Sequence, residues 1–214
     1  MERDLLEQRI TRLIRLPNTG GVFRDGLLIY ERAKAFATNV HAGQMYGARP
    51  FTYHLEQVEN VLIRFDYCSF GMRAAAWLHD TIAECNVTAE DIRREFPGFV
   101  GVIVSSMTCP SSKERAANAV VLNLADRIAD VEEAILTGDN RLSMSEKESS
   151  EFRDALYESG HADAMWAHLD TLNEFGAETL NRRSLTAFAN GVSSSNAPSM
   201  SANAPVSDTS RITE

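Results

Sequence analysis

Ala74-Ala75-Ala76-Trp77-Leu78-His79-Asp80 is the stretch of this sequence that decides its fold. Five apolar residues in a row are typical of a helix that is buried on every side, and we predict one helix over 70–84 at the centre of a helical bundle. A histidine and an aspartate inside such a helix are costly to bury unless they pair with each other or bind a metal ion. The His79-Asp80 pair alone is compatible with both possibilities.

A second apolar helix, predicted over 51–65, carries another histidine. His54 stands on the side of this helix opposite Glu56 and Glu59. Because charged residues prefer the solvent-facing side of an amphipathic helix, we expect His54 to face the interior. A second inward-facing histidine favours a metal site over a simple hydrogen-bonded pair.

A third apolar helix, predicted over 115–137, contains Asp126 as the one acid within its run 120–128. Two imidazoles and two carboxylates suit a divalent first-row metal ion such as Mn²⁺ or Fe²⁺, rather than a metal that prefers thiolates. The alternative is that His54 and Asp126 are core residues with ordinary hydrogen-bond partners. The predicted metal ligands are His54, His79, Asp80 and Asp126.

Most of the remaining chain is also divided into segments of helical length. Sustained alternation of polar and apolar residues, which is typical of strands, is almost absent. We therefore predict an all-α fold. Thr88 followed by Asp91 is expected to cap one helix, and Gly43 to end another. Further helices are predicted over 4–15, 26–42, 89–95, 98–106, 149–158 and 162–175.

The chain is expected to divide into four parts. Residues 191–214 are rich in Ser, Ala, Asn and Pro and contain no aromatic residue. Such a segment cannot bury enough apolar surface to offset the entropy of ordering it. The expected parts are an N-terminal helix and loop over 1–25, a core over 26–137, C-terminal helices packing on that core over 138–190, and a disordered tail over 191–214.

Composition excludes several classes of function. The 214 residues carry a formal charge of −9, and so acidic a surface disfavours broad binding to nucleic acid or to anionic membranes. No apolar run approaches the roughly 20 residues that span a bilayer, and the N-terminus lacks the basic start and apolar stretch of a signal peptide. Cys68, Cys85 and Cys109 match no paired thiolate motif. We expect a cytoplasmic protein with free thiols.

Four motifs occur in the order found in one enzyme family, and this order is more specific than the His79-Asp80 pair. They are His41-Ala42-Gly43-Gln44, Gly47-x-x-Pro50-Phe51-x-x-His54, Ala75-Ala76-Trp77-Leu78-His79-Asp80-Thr81 and Leu124-Ala125-Asp126-Arg127. Over residues 26–137 the chain resembles the HD-domain metal-dependent phosphohydrolases. The closest resemblance is to the alarmone hydrolases, which are the hydrolase domains of bifunctional (p)ppGpp synthetase/hydrolases and the small stand-alone (p)ppGpp hydrolases.

The resemblance implies a fold, a cofactor and a reaction. The implied fold is the HD-domain helical bundle with extra C-terminal helices. In this family one divalent ion, usually Mn²⁺, is held by the residues that match the four predicted ligands. The ion activates a water that attacks phosphorus, and pyrophosphate leaves the 3′ position of a guanosine nucleotide. The implied partner is a small-molecule nucleotide, and the oligomeric state is left open.

The resemblance also implies a general acid or base close to the metal. The family carries a Glu-Asp pair three and four residues after the metal-binding aspartate, where this chain has Ala83 and Glu84. If the helix continues past Asp80, Glu84 shares a face with that ligand one turn further on. We therefore assign the catalytic role to Glu84, with an exposed glutamate at a helix end as the alternative.

Three positions are expected to contact the substrate. Tyr46 and Arg49 lie in the loop that touches the base and the phosphates in this family, so we expect Tyr46 to stack and Arg49 to meet phosphate. Asp130 stands four residues after the last metal ligand, where the family has an asparagine that contacts the nucleotide. An acid at this position repels phosphate unless it pairs with a cation or with the metal.

Two other functions stay open. The residues at Tyr46, Asn123 and Asp130 favour a nucleotidase or phosphatase that acts on a different phosphoester. The loss of an acid at Ala83 and the shortness of the stretch 108–118 favour a catalytically degenerate relative that binds a nucleotide or a protein.

Overall fold

The structure is a computed structural model that describes residues 21–96, 98–107, 117–138 and 146–176. These residues are mostly helical, which confirms the predicted all-α class. The helix predicted over 4–15 and the tail predicted over 191–214 lie outside the described residues.

A small hairpin separates the first two helices. It joins β1 (Met45–Tyr46) to β2 (Arg49–Pro50) in antiparallel register, with Tyr46 opposite Arg49. The helices are α1 (Gly21–Val40), α2 (Thr52–Arg64), α3 (Phe70–Leu78), α4 (Thr81–Glu84), α5 (Ala89–Glu95), α6 (Phe99–Met107), α7 (Ala117–Thr137), α8 (Glu146–Leu156) and α9 (163–176).

Helix α1 begins earlier than the predicted 26–42, at Gly21. Glycine weakens a helix mainly from interior positions, and at the first position it does not prevent the helix from forming. The helix ends at Val40, and Gly43 follows with a φ of 83°. This left-handed conformation suits glycine, so the expected end of the helix near Gly43 is confirmed.

Helix α3 lies at the centre of the bundle, as predicted. It packs against α1, α2, α6 and α7, and every residue from Ala74 to Leu78 is buried. Its three consecutive alanines are small, so neighbouring helices can approach closely on several sides. Ser69 caps its N-terminus, because the Ser69 hydroxyl accepts a hydrogen bond from the Met72 N–H at 3.2 Å.

Helix α5 starts with the expected capping box. The Thr88 hydroxyl accepts the Asp91 N–H, and the Asp91 carboxylate accepts the Thr88 N–H, both at 3.1 Å. Two backbone donors that the helix itself cannot satisfy are therefore paired.

A buried carboxylate ties helices α1, α2 and α3 together. Glu59, which we expected opposite His54 at the surface, has a side chain only 6% exposed. Its carboxylate accepts hydrogen bonds from Arg73 Nε and Trp77 Nε1, both at 2.6 Å, and from the Tyr30 hydroxyl at 3.3 Å. The expectation was wrong because α2 packs against both α3 and α7 and thus buries two faces. We call Tyr30, Glu59, Arg73 and Trp77 the Glu59 cluster.

Helices α8 and α9 contribute to the same core as α2, α3 and α7. Leu156 of α8 and Met165, Trp166 and Leu169 of α9 belong to one continuous group of buried apolar side chains with residues of those helices. His168 of α9 lies 3.1 Å from a Glu132 carboxylate oxygen on α7.

The sequence predicted no membrane-spanning helix and free cysteine thiols. None of the helices in the described ranges has the length and apolar content needed to cross a bilayer. Cys68 and Cys85 are free thiols, as predicted, and Cys109 lies outside the described residues.

Candidate metal centre

The His79-Asp80 pair lies in a break between two helices. Helix α3 ends at Leu78 and α4 begins at Thr81, so the single helix predicted over 70–84 is wrong. Two side chains bind carbonyls of the last turn of α3: the His79 imidazole lies 2.8 Å from the Ala76 oxygen, and the Thr81 hydroxyl donates to the Leu78 oxygen at 2.7 Å. Such bonds compete with continuation of the helix.

Helices α2 and α7 bring the other two predicted ligands to this break. Helix α2 packs on both α3 and α7. His54 is buried in the first turn of α2, and Asp126 lies near the middle of α7. The His54 Nε2 and Asp126 Oδ1 atoms are 3.1 Å apart. Residues far apart in sequence therefore meet at one place.

Four nitrogen–oxygen distances describe the cluster. His54 Nε2 lies 3.1 Å from Asp126 Oδ1 and 3.6 Å from Asp80 Oδ2. His79 Nε2 lies 3.0 Å from Asp80 Oδ2 and 3.5 Å from Asp126 Oδ1. Ligand atoms bound at about 2.1 Å to one ion stand about 3.0–3.4 Å apart in octahedral or tetrahedral geometry. Two of these separations lie in that range and two are slightly longer, so the four side chains could converge on one ion, and we call them the His54 cluster.

The His54 cluster is buried on its histidine side and open on its carboxylate side. The His79 and His54 side chains are 0% and 4% exposed, whereas those of Asp80 and Asp126 are 24% and 30% exposed. Catalytic metal sites keep an open coordination position for water or substrate. The open side lies at the carboxylates.

The hydrogen bond of His79 Nδ1 determines whether Nε2 is free to bind a metal ion. Since a carbonyl only accepts hydrogen bonds, the contact with the Ala76 oxygen places a proton on His79 Nδ1. In the neutral ring the Nε2 lone pair then faces the cluster. Within the described part of the chain this buried Nε2 has no hydrogen-bond partner. A metal ion would satisfy it, so the residues present fit a metal.

The charges in the His54 cluster also favour the binding of a cation. Burial disfavours the charged form of His79, but Asp80 and Asp126 outweigh it and raise the pKa of His79 well above its usual value. Burial likewise opposes ionisation of Asp126, yet the nearby imidazoles of His54 and His79 hold the pKa of Asp126 below its usual range. The carboxylates therefore stay ionised and attract cations.

Asp130 and Tyr46 lie beside the His54 cluster. The Tyr46 hydroxyl donates to Asp130 Oδ1 at 2.7 Å, and Arg127 Nη2 donates to Asp130 Oδ2 at 3.1 Å. The acid expected to repel phosphate is thus paired with a cation. Burial and the Asp126 carboxylate still raise the pKa of Asp130 above its usual value.

Arg49 is half-exposed and lies near an acid that the sequence analysis missed. Its guanidinium stacks 4.0 Å from the centre of the Tyr53 ring and lies 3.6 Å from Glu133 Oε2. The Tyr53 hydroxyl donates to the same Glu133 oxygen at 3.0 Å. Glu133 follows Asp126 by seven residues, or two helical turns, so helical spacing could have identified it.

Glu84 keeps its expected place relative to Asp80 although the helix is broken. The Glu84 N–H donates to the Asp80 carbonyl at 2.8 Å, which puts Glu84 one helical turn beyond that ligand. The Glu84 residue is exposed, and its own carbonyl accepts a hydrogen bond from Gln44 Nε2 at 3.0 Å. Its catalytic role stays a prediction.

Among the described residues, two sets of three could each hold a metal ion. Within a set, one ligand atom per residue lies within 4.8 Å of the others. The sets share His54 and consist of His54, His79 and Asp80, and of His54, Asp126 and Asp130. The structure therefore contains buried histidine and aspartate groups that could hold a metal ion.

Comparison of the whole sequence with models of known protein families and with curated proteins gives no match. What the centre does must therefore be inferred from its own residues and geometry.

Proposed function

We propose that this protein is a metal-dependent phosphohydrolase that acts on a nucleotide and belongs to the HD-domain type. One observation carries the proposal: the His54 cluster combines two imidazoles and two carboxylates whose nitrogen–oxygen separations, from 3.0 to 3.6 Å, are close to those around one ion. The ligands come from α2, the α3–α4 break and α7, in the chain order of the HD motifs. Mn²⁺ is the proposed ion, because a nitrogen and oxygen ligand set without thiolates suits it.

The residues in and beside the His54 cluster have different proposed roles. When bound, the ion supplies a Lewis acid that polarises a phosphate oxygen and lowers the pKa of a coordinated water. His54 and His79 hold the buried side, and Asp80 and Asp126 offset the charge of the ion on the open side. Glu84, one turn beyond Asp80 and exposed, is the group proposed to accept or deliver a proton.

The first-choice substrate is (p)ppGpp, from which 3′-pyrophosphate would be released. A different phosphoester is the second candidate, and one observation favours it. Arg49 and Arg127, the cations described near the centre, already lie beside Glu133 and Asp130. Fewer free cations would favour a substrate with less negative charge. A cytoplasmic location, and the absence of nucleic-acid and membrane partners, stay predictions.

A substrate panel tests the proposal. Purified protein is incubated with Mn²⁺ and, separately, ppGpp, GTP, deoxynucleoside triphosphates and nucleoside monophosphates, and the products are resolved by anion-exchange chromatography. Pyrophosphate from ppGpp supports the first candidate, and hydrolysis of another compound supports the second. Protein that binds Mn²⁺ but hydrolyses nothing in the panel contradicts the hydrolase proposal.

Asp80→Ala is expected to weaken Mn²⁺ binding by at least about 100-fold and to abolish hydrolysis, because the variant loses a ligand on the open side. Calorimetric titration with Mn²⁺ measures the first effect and the product assay the second. Asp154→Ala, at an exposed position of α8, is the matched control and should behave as wild type. Full activity in Asp80→Ala would refute the centre.

Glu84→Ala is expected to leave Mn²⁺ affinity unchanged and to lower kcat by about 100-fold, the usual contribution of a general acid or base. Glu56→Ala removes another exposed glutamate, from α2, and serves as the control. If both variants turn over substrate at the wild-type rate, Glu84 has no part in the mechanism.

A further inference from the structure

The two nitrogens of His54 have different surroundings. Nε2 faces the His54 cluster and lies 3.1 Å from Asp126 Oδ1. Nδ1 points away from the cluster, is fully buried, and has no hydrogen-bond partner among the described residues. A carboxylate oxygen of Asp130 lies 3.7 Å from Nδ1, slightly beyond hydrogen-bond distance.

Tyr46 holds both His54 and Asp130. Its ring stacks on the His54 imidazole, with centres 4.6 Å apart and planes 23° from parallel. Its hydroxyl donates to the Asp130 oxygen that faces His54 Nδ1. Arg127 binds the other oxygen of Asp130, so the carboxylate is held at both ends. One tyrosine on the hairpin therefore fixes the histidine by contact and the acid by hydrogen bonding.

We propose that Tyr46 and Asp130 are positioning residues that orient His54 as a metal ligand. An imidazole that binds a metal through Nε2 carries its proton on Nδ1, and a buried N–H needs an acceptor. Asp130 is placed to accept it. A carboxylate in this position fixes the ring orientation and makes the imidazole a stronger ligand.

This inference assigns Asp130 and Tyr46 a role other than the substrate contacts expected from the sequence. One face of the Tyr46 ring is taken by His54, and its hydroxyl is taken by Asp130. The inference rests on the metal binding of the proposed function, but not on the identity of the substrate.

Helices α2 and α7, which carry His54 and Asp130, also provide a matched control pair. Tyr53 on α2 donates its hydroxyl to Glu133 on α7 at 3.0 Å. This pair repeats the tyrosine–carboxylate contact of Tyr46 and Asp130. The acid in it lies beside Arg49, whereas Asp130 lies beside His54. Substitutions in either pair remove a tyrosine–carboxylate hydrogen bond. Only in the Tyr46–Asp130 pair does the carboxylate lie beside the His54 imidazole.

Mn²⁺ titrations compare the two pairs at one fixed pH, with free Mn²⁺ followed by electron paramagnetic resonance. We expect Asp130→Asn to weaken Mn²⁺ binding by about 10- to 100-fold, and Tyr46→Phe, which keeps the ring stacking, by a smaller factor. Glu133→Gln and Tyr53→Phe should bind within about twofold of wild type. Urea denaturation without metal checks that each variant is folded. If Asp130→Asn does not fold, Tyr46→Phe is the variant that tests the proposal.

A second measurement separates orientation of His54 from general support of the fold. With Zn²⁺ as a diamagnetic probe, nitrogen-15 spectra of the imidazoles should show His54 protonated at Nδ1. Asp130→Asn should shift that resonance, and Glu133→Gln should not. Equal Mn²⁺ affinities in the two pairs, with binding lost in His54→Ala, would overturn this inference and leave the proposed centre intact. No Mn²⁺ binding by wild type would overturn both.

Discussion

Two clusters of buried polar side chains lie on different faces of helix α2, and they differ in how completely they are paired. In the Glu59 cluster, the carboxylate accepts hydrogen bonds from Arg73, Trp77 and Tyr30 and is nearly shielded from solvent. In the His54 cluster, two buried imidazole nitrogens find no hydrogen-bond partner within the described ranges, and both carboxylates are partly exposed.

This difference separates a structural role from a ligand-binding role. A buried polar group that keeps all its hydrogen bonds holds its neighbours in place, whereas one left without a partner costs about 1–3 kcal/mol. A bound cation would remove that cost for His79 Nε2, whereas the Glu59 carboxylate already has its hydrogen-bond partners. Removing Glu59 should therefore affect folding alone, and adding metal should act through the His54 cluster alone.

The largest expected effect is on folding. Glu59→Ala should lower the free energy of unfolding by about 3–5 kcal/mol, because it leaves the Arg73 charge and the Trp77 N–H without their buried partner. Urea denaturation measures this loss, and Glu56→Ala, one turn away on the exposed face, is the control. The comparison fails if Glu59→Ala is as stable as the control, or if it loses Mn²⁺ affinity while still folded.

A smaller effect is expected from filling the His54 cluster. Mn²⁺ at 100 times its dissociation constant should raise the free energy of unfolding of wild type by about 2.7 kcal/mol, since the ion binds only the folded chain. Asp126→Ala should show no such increase, and Asp154→Ala should show all of it. Denaturation with Mn²⁺ and with EDTA gives the two values. An equal increase in Asp126→Ala would place the ion elsewhere.

The smallest effect concerns Tyr30. Burial, together with the charge of Glu59, raises the pKa of Tyr30 from 10.0 to about 12. Between these values the unfolded chain loses the phenol proton while the folded chain retains it, so wild-type stability should fall as pH rises from 10 to 12. Tyr30→Phe should show a shallower fall in the urea midpoint over this range. Equal slopes in both proteins would mean that Tyr30 titrates normally.

Much of the fold could be predicted from local patterns in the sequence. Helical periodicity, the Thr88 capping box and the alanine-rich run at 74–78 depend on neighbours within a few residues, and each is found as predicted. The break at His79-Asp80 was missed, because it depends on side chains that bind backbone carbonyls of the preceding turn. Helix propensity and apolar periodicity do not take into account this competition between side-chain and backbone hydrogen bonds.

The candidate site was only partly predictable. Apolar surroundings pointed to His54, His79, Asp80 and Asp126, and the structure brings these four side chains together. Their role as metal ligands stays a prediction. Glu133, which lies beside the site and belongs to neither set of possible metal ligands, was missed although it shares a face of α7 with Asp126.

What the sequence by itself determined is where most of the helices lie and which of them are buried, because both follow from the spacing of apolar residues along the chain. The tertiary structure alone decided which polar residues share a cluster. Glu59 and His54 are both buried on one helix. The packing of α3 and α7 on α2, with Tyr30 reaching in from α1, supplies hydrogen-bond donors to Glu59 but leaves two imidazole nitrogens of the His54 cluster without partners among the described residues. Hydrogen-bond partners come from residues distant in sequence, and their positions depend on how the helices pack.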